Sequence, residues 1–273
     1  MPSQCALDDF CSIVWGYYVE HGRHDLPWRH DTSPYSIVIS EVMLQQTQVV
    51  RVLAKYTEFL KAFPDFKSLA HADTAELLRV WQGMGYNRRA LYLRSLASMV
   101  VNEYGGELPA SPEILKTLPG IGKATASSIA AFAFNAPVSF IETNIRRVYI
   151  HHFFPDIDAV HDRDIESLVA ATVPPDRARE WYWALMDYGS VLAKEFVNPN
   201  RKSTHYKKQA KFSGSVREAR GKILKALLAR GSMRHKTLCE VTGITDGRIA
   251  EGLLQLVSEG FITKSNGFFR VSI

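Results

Sequence analysis

The chain has 273 residues, enough for one large domain and a small one, each able to bury a core. Hydrophobic residues at 46% and aromatics at 11% exclude global disorder, and no apolar run approaches the roughly 20 residues that span a bilayer. A formal charge of +5 and a pI near 9.0 favour a polyanionic partner, although such values also occur in proteins that touch no nucleic acid.

In chain order, the N-terminus carries Asp8 and Asp9 and lacks a basic signal-peptide start, so a soluble, intracellular (cytoplasmic) protein without a membrane role is expected. Cys5, Cys11 and Cys239 are too few and too scattered for a disulfide framework or a four-thiolate metal site. His-Glu-x-x-His is absent, and the neighbours His151 and His152 diverge on a helix, so no histidine metal site is expected. Apolar residues recur at three- and four-residue spacing over 7–20, 36–48, 50–63, 74–80, 88–104, 112–117, 123–134, 143–153, 163–172 and 177–194. Most of residues 1–198 is therefore predicted helical, punctuated by Pro34, Pro64, Pro109, Pro112, Pro137, Pro155 and the Pro174-Pro175 pair. No constant period marks a solenoid.

Within that stretch, Leu118 to Ala126 (Leu-Pro-Gly-Ile-Gly-Lys-Ala-Thr-Ala) reads as two helices joined by a glycine hairpin. Gly120 and Gly122 allow a tight turn that presents amide N–H groups to an anion, and the helix beginning near Lys123 adds its positive end. The alternative is an ordinary interhelical turn. From Asn198 to Lys222, Arg201, Lys202, Lys207, Lys208, Lys211, Arg217, Arg220 and Lys222 face one acid, Glu218. This basic linker, assigned to 199–214, is either a phosphate-contacting strap or a solvated connector. Residues 215–273 then read as three helices, 216–229, 236–242 and 246–259, followed by a hairpin turning at Ser265-Asn266-Gly267, the pattern of a winged helix. Such modules bind DNA or protein.

Leu26-Pro-Trp-Arg29, Pro34-Tyr35, Ser40-Glu-Val-Met-Leu-Gln-Gln-Thr-Gln48, Trp81-Gln-Gly-Met-Gly-Tyr86, the hairpin and Asn144-x-x-Arg147-Val148 stand in one characteristic order and spacing. In these motifs the chain resembles the MutY-like adenine DNA glycosylases, part of the helix-hairpin-helix superfamily that includes endonuclease III. The resemblance covers about residues 10 to 195 and stops short of the winged helix. It implies a mainly α, two-lobed helix-hairpin-helix glycosylase fold, here with a small C-terminal winged-helix domain bearing a β-hairpin. It also implies a monomeric base-excision enzyme acting on double-stranded DNA that carries a mispair or lesion.

Hydrolysis of an N-glycosidic bond passes through an oxocarbenium-like sugar, so an acid on the leaving base and a carboxylate near C1′ both help. Glu41 lies in an apolar, amide-rich helix where desolvation would keep it protonated, and the resemblance makes it the general acid at a purine N7. The second carboxylate departs from the family pattern, with Glu142 standing where relatives carry aspartate. Glu142 is expected to stabilise the cation or position water while Thr143 or Asn144 caps the following helix; the alternative is an acid that merely favours a helix N-terminus. The family's lyase lysine position is matched by Ala124, with Lys123 one residue away, so a monofunctional enzyme is expected.

By the same resemblance, Gln46 and Tyr86 are candidates to fill the hole left by a flipped base, although Asn87 replaces a second tyrosine of the family. Leu26, Trp28 and Arg29 would border the base pocket with Asp187 beside it. Gly120, Gly122, Lys123 and Thr125 would hold the strand, and carbonyls of Lys116, Leu118 and Ile121 would take a monovalent Na+ or K+. Two departures from the family are expected: residues 191–212 contain no cysteine, so no iron-sulfur cluster is expected, and no 8-oxoguanine-recognising C-terminal domain of the usual kind is expected after residue 198. The basic stretch Arg201 to Lys211 is the expected substitute for the cluster loop. No other cofactor is required. Adenine opposite 8-oxoguanine or guanine is the leading substrate. Mispaired thymine or uracil, another damaged base, a catalytically silent DNA binder and an operator-binding regulator are the alternatives.

Overall fold

A computed structural model describes residues 2–206 and 212–272. Lys207, Lys208 and Lys211 lie outside the described residues. The helices are, in chain order, α1 (Gln4–His21), α2 (Pro27–His30), α3 (Pro34–Leu44), α4 (Val49–Ala62), α5 (Phe66–Ala70), α6 (Thr74–Val80), α7 (Arg88–Glu103) and α8 (Pro112–Leu115). They continue as α9 (Lys123–Phe134), α10 (Thr143–Phe153), α11 (Asp162–Thr172), α12 (Ala178–Glu195), α13 (Val216–Arg230), α14 (His235–Thr242) and α15 (Asp246–Ser258). A 3-10 turn occupies Pro199–Lys202, and the strands are β1 (Met233–Arg234), β2 (Ile262–Ser265) and β3 (Phe268–Val271).

The chain forms two compact units, one of Met1–Glu41 with Leu108–Lys208 and one of Val42–Glu107 with Gln209–Ile273. Both are discontinuous in sequence. In the first unit, α12 packs on α10 and α1, burying Trp181, Tyr149 and Tyr182 completely. The ring of Phe10 sits 5.1 Å from that of Tyr149 and 4.9 Å from that of Phe153, the tilted geometry aromatic pairs prefer. The α10–α12 packing is tight at Gly189, where a Cβ would lie 2.5 Å from the Asn144 carbonyl oxygen, so only glycine fits. The start of the basic stretch is not a free connector. The Val160 N–H donates to Lys202 O at 2.8 Å, Thr204 N–H to Val160 O at 3.1 Å, and Asn200 Nδ2 to Thr143 O at 2.8 Å.

In the second unit, α5 packs on α7, and Trp81, Phe59 and Tyr56 are fully buried nearby in the chain. Helix α5, absent from the periodicity reading, is one turn long and is set by a capping box between Asp65 and Ser68. The C-terminal part of this unit packs α13 against α15 and α14, with an antiparallel sheet in the order β1-β3-β2. Met233 pairs with Phe269 and Ile262 with Val271, and the hairpin turns on Asn266 (φ 49) and Gly267 (φ 77), the left-handed pair that an Asn-Gly turn supplies. The expected three helices and hairpin are present, and β1 is an added strand.

Helix α3 corrects the sequence reading. A helix through residue 48 was expected, but it ends at Leu44, and the next begins at Val49 after a turn in which Gln46 adopts φ 54. The break has a cause in tertiary structure, the guanidinium of Arg89, described below.

Candidate active site

Glu41 lies on α3, and its Oε2 accepts a 2.5 Å hydrogen bond from Ser128 Oγ, a buried residue of α9 just beyond the glycine hairpin. Burial pushes the Glu41 pKa up to about 7; the Ser128 hydroxyl acts downward and the charge of Glu142 adds to the rise. The carboxyl is therefore a proton reservoir near neutral pH. The charge of Glu142 is therefore felt at Glu41, and both belong to the first unit.

Glu142 itself caps α10. Its Oε1 accepts from Asn144 N at 2.5 Å and from Ile145 N at 2.9 Å. Thr143 and Asn144, expected as caps, do not serve. The reason is geometric: the longer glutamate folds back over the first turn and reaches both orphan amides from the N-cap position. Desolvation pushes Glu142 upward as well, opposed by those two amides and by Arg147 and Arg146. Buried Arg147 fixes this corner by donating to Gly189 O at 2.5 Å and Asn144 Oδ1 at 2.8 Å.

The residues expected to border a base pocket divide into two kinds. Arg29 and Asp187 form a buried bidentate pair at 2.7 and 2.8 Å, and Arg23 adds its backbone N–H at 2.8 Å and its Nε at 2.6 Å. Against desolvation, the hydrogen bonds and charges of Arg29 and Arg23 hold Asp187 below the usual carboxylate range, so it is a fixed anion and not a proton donor. Leu26 and Trp28, the latter on α2, are core residues at 7% and 5% exposure.

The hairpin forms as predicted, between α8 and α9. Gly120 takes φ 79 and Gly122, which has no side chain to cap with, is the N-cap of α9. The N-terminal end of this helix, with the positive pole of the helix dipole, faces the loop that the hairpin displays. Gly120, Gly122 and Lys123 are exposed and Thr125 is half-buried, while Leu118 and Ile121 root the loop in the core. Lys116 caps α8, and Leu118 O accepts the Ile121 N–H at 3.2 Å. Arg201 is exposed, and Lys202 turns its Nζ onto Pro155 O.

In the second unit, Gln46 and Tyr86 share an unusual property: both are non-glycine residues with positive φ, 54 and 47, and both are exposed. One buried guanidinium holds both turns. Arg89 Nη1 donates to the carbonyls of Val42 (2.7 Å), Met43 (2.9 Å) and Gln45 (2.6 Å); Nη2 donates to Thr47 Oγ1 (3.0 Å), Met84 O (3.3 Å) and Gly85 O (3.1 Å). Its Cζ also lies 5.6 Å from the Tyr86 ring centroid, and burial lowers its pKa to about 10, which leaves it cationic. Strained backbone over-determined in this way marks functional loops. From α13, Arg217 Nη1 donates to Tyr86 Oη at 2.9 Å, while Arg88 Nη2 (2.5 Å) and Arg220 Nη1 (2.9 Å) share the carboxylate of Glu259. The basic C-terminal segment is thus bound to the turn that displays Tyr86.

Ser128 and Arg89 escape sequence reading, and Arg217 is legible there only as one charge of the basic linker. Ser128 sits in a run of small residues, and the two arginines stand on amphipathic helices where charge ordinarily signals solvent. Only the accumulation of Gln-Gln and Gly-Tyr turns in reach of one arginine hints at a clamp.

A family model described as HhH-GPD superfamily base excision DNA repair protein matches residues 39–174. The adenine DNA glycosylase of Mycolicibacterium smegmatis is 40% identical over 178 residues, 64% of this chain and 60% of that protein. That of Mycobacterium tuberculosis is 30% identical over 281 aligned positions, 95% of this chain and 91% of that one. Among solved structures, a thermostable thymine-DNA glycosylase superposes with a TM-score of 0.61 at 26% identity, covering 69% of this chain and 88% of that one. An endonuclease III–DNA complex, at 18% identity and TM-score 0.58, covers 68% and 85% and shares the fold.

Proposed function

The chain belongs to the HhH-GPD superfamily of base excision DNA repair proteins, and from that premise we propose that it removes adenine mispaired with guanine or 8-oxoguanine by direct hydrolysis, as a monomer, without a lyase step. The observation that carries this reading is Glu41, a carboxyl with a pKa raised to about 7, hydrogen-bonded to the hairpin helix and coupled to a second carboxylate.

Glu41 gives its proton to N7 of the everted adenine, so the electron pair of the breaking C1′–N9 bond is accepted by a neutralised base. Glu142, fixed by two amides at the head of α10, offsets the positive charge that develops on the sugar. A water molecule adds to C1′ and loses its proton to the carboxylate left behind. The hairpin amides of Gly122 and Lys123 grip a phosphate of the lesion strand, and Gln46 and Tyr86 fill the vacated stack. Arg201, Lys202, Lys207 and Lys208 add phosphate contacts, read out as a shallower salt dependence of binding on charge reversal.

The three cysteines, one on α14 and two on α1, are fewer than the four thiolates an iron-sulfur cluster takes, which supports a reading of base hydrolysis by the two carboxyl groups. Carbonyls of Lys116, Leu118 and Ile121 are the candidates for a monovalent cation, which would offset phosphate charge at the hairpin. Among the described residues no helix is long and apolar enough to cross a membrane.

The test is a panel of duplexes bearing A:8-oxoG, A:G, T:G, U:G and intact pairs, incubated with protein and treated with alkali to reveal abasic sites. Strand breaks confined to the adenine strand of the A:8-oxoG and A:G duplexes support the assignment. The likeness to a thymine-DNA glycosylase gives a second reading, which breakage at T:G alone would establish. Tight binding to every duplex with no breakage would identify a silent binder.

A further inference from the structure

One cluster of metal-type ligands lies outside everything described so far. His235 opens α14, Cys239 follows one turn later at i+4 and therefore on the same face, and Asp246 opens α15. Their ligand atoms all lie within 4.8 Å of one another, with His235 Nε2 3.4 Å and Cys239 Sγ 3.8 Å from Asp246 Oδ1. A tetrahedral site with bonds of about 2.0–2.3 Å has ligand-to-ligand edges of about 3.3–3.8 Å, so both separations, the second of them a thiol-to-carboxylate hydrogen bond here, match those of ligands around one ion.

The imidazole supplies an independent sign. His235 Nε2 is enclosed and makes no hydrogen bond of good geometry among the described residues, an arrangement that costs free energy unless something else occupies its lone pair or proton. Asp246, 83% exposed, is free to turn to water yet points its carboxylate at the thiol and the ring. The donor set of one nitrogen, one sulfur and one oxygen selects a borderline-soft ion and disfavours the hard cations calcium and magnesium.

We propose that His235, Cys239 and Asp246 bind a divalent transition metal of the zinc class, with its fourth position open to solvent. Binding expels the Cys239 proton to solvent and joins α14 to α15 across the Gly243–Thr245 turn, bracing the C-terminal helices. It needs no part of the glycosylase assignment.

The probe is cobalt(II) titrated into the full-length, chelator-treated protein under reducing conditions. The expected result is one equivalent bound with the intense visible bands of a tetrahedral ion and a thiolate charge-transfer band, all lost on addition of zinc. The Cys239→Ser variant abolishes the charge-transfer band, while a Cys5→Ser, Cys11→Ser double variant keeps it. Asp246→Asn, a change at an exposed side chain that leaves the fold intact, weakens zinc binding at least tenfold in calorimetry. No band in the native protein, a band that survives Cys239→Ser or depends on Cys5 and Cys11, or unchanged affinity in Asp246→Asn would overturn the site.

Discussion

Replacing Glu41 with glutamine tests the acid in two ways at once. In the folded protein its pKa is about 7, against 4.5 for the ordinary side chain. Because the folded state holds the proton more tightly, the unfolded chain ionises first as pH rises, and stability is lost between pH 4.5 and 7 and stays lost above. Integrated, that linkage costs the native protein about 2 kcal/mol at pH 6 and about 3 kcal/mol at pH 8, but less than about 0.5 kcal/mol at pH 4.5. These figures are ceilings, since the residue keeps some exposure. Glutamine cannot ionise and still accepts from Ser128 Oγ, so Glu41→Gln gains on the native protein as pH rises, by several degrees in Tm at pH 8. The same change lowers the single-turnover excision rate by about 10²–10⁴-fold, and native activity declines above about pH 7 as the proton is lost. Thermal melts from pH 4.5 to 8 and single-turnover assays over that range are the measurements. Parallel stability curves for the two proteins, or native activity that climbs through pH 8, would refute the assignment of Glu41 as a buried acid.

Arg89→Met removes one guanidinium that makes six hydrogen bonds to two turns, so it lowers stability by at least about 3 kcal/mol in denaturant melts and releases Gln46 and Tyr86 from φ > 0, weakening duplex binding. Gly189→Ala drives a methyl group into the Asn144 carbonyl, costs about 1–3 kcal/mol, and displaces the head of α10, so excision falls more than DNA binding does. Glu142→Ala loses the N-cap, about 1 kcal/mol by thermal melt, together with excision activity; Glu142→Asp restores the cap better than the rate. Incubation with substrate and borohydride yields no covalent protein–DNA adduct, because Ala124 holds the position of the family's lyase lysine; an adduct on gels would reverse this.

What could be read from the residues follows from the range of the forces involved. The glycine hairpin is local: Gly120 needs φ > 0 and Gly122 opens α9 without a side-chain cap, and both features are written in the residue type. Helices with long apolar stripes, such as α10 and α12, were equally plain. Helix α5 and strand β1 are too short for periodicity to register, and a capping box and a paired β3 create them. Helix α3 stops at Leu44 because a guanidinium 47 positions after Val42 collects its terminal carbonyls, information absent from the segment itself. Of the site, Glu41 stood out through its motif, but its hydroxyl partner Ser128, 87 positions away, is set by packing alone. Glu142 was found with the wrong local duty, because cap preference ranks Thr and Asn first and cannot anticipate how a longer acid folds back.

The sharing of Glu259 by Arg88 and Arg220 has a bearing on how the protein is made. Glu259 follows Arg88 by 171 positions, so at roughly 5–20 residues per second the ribosome delivers the acid about 9–35 s after the arginine. Throughout that interval α4 to α7 are without the half of their unit that the last quarter of the chain provides. Completion of the second unit is thereby timed by translation, and the Tyr86 turn acquires its Arg217 partner only once synthesis is well past α12.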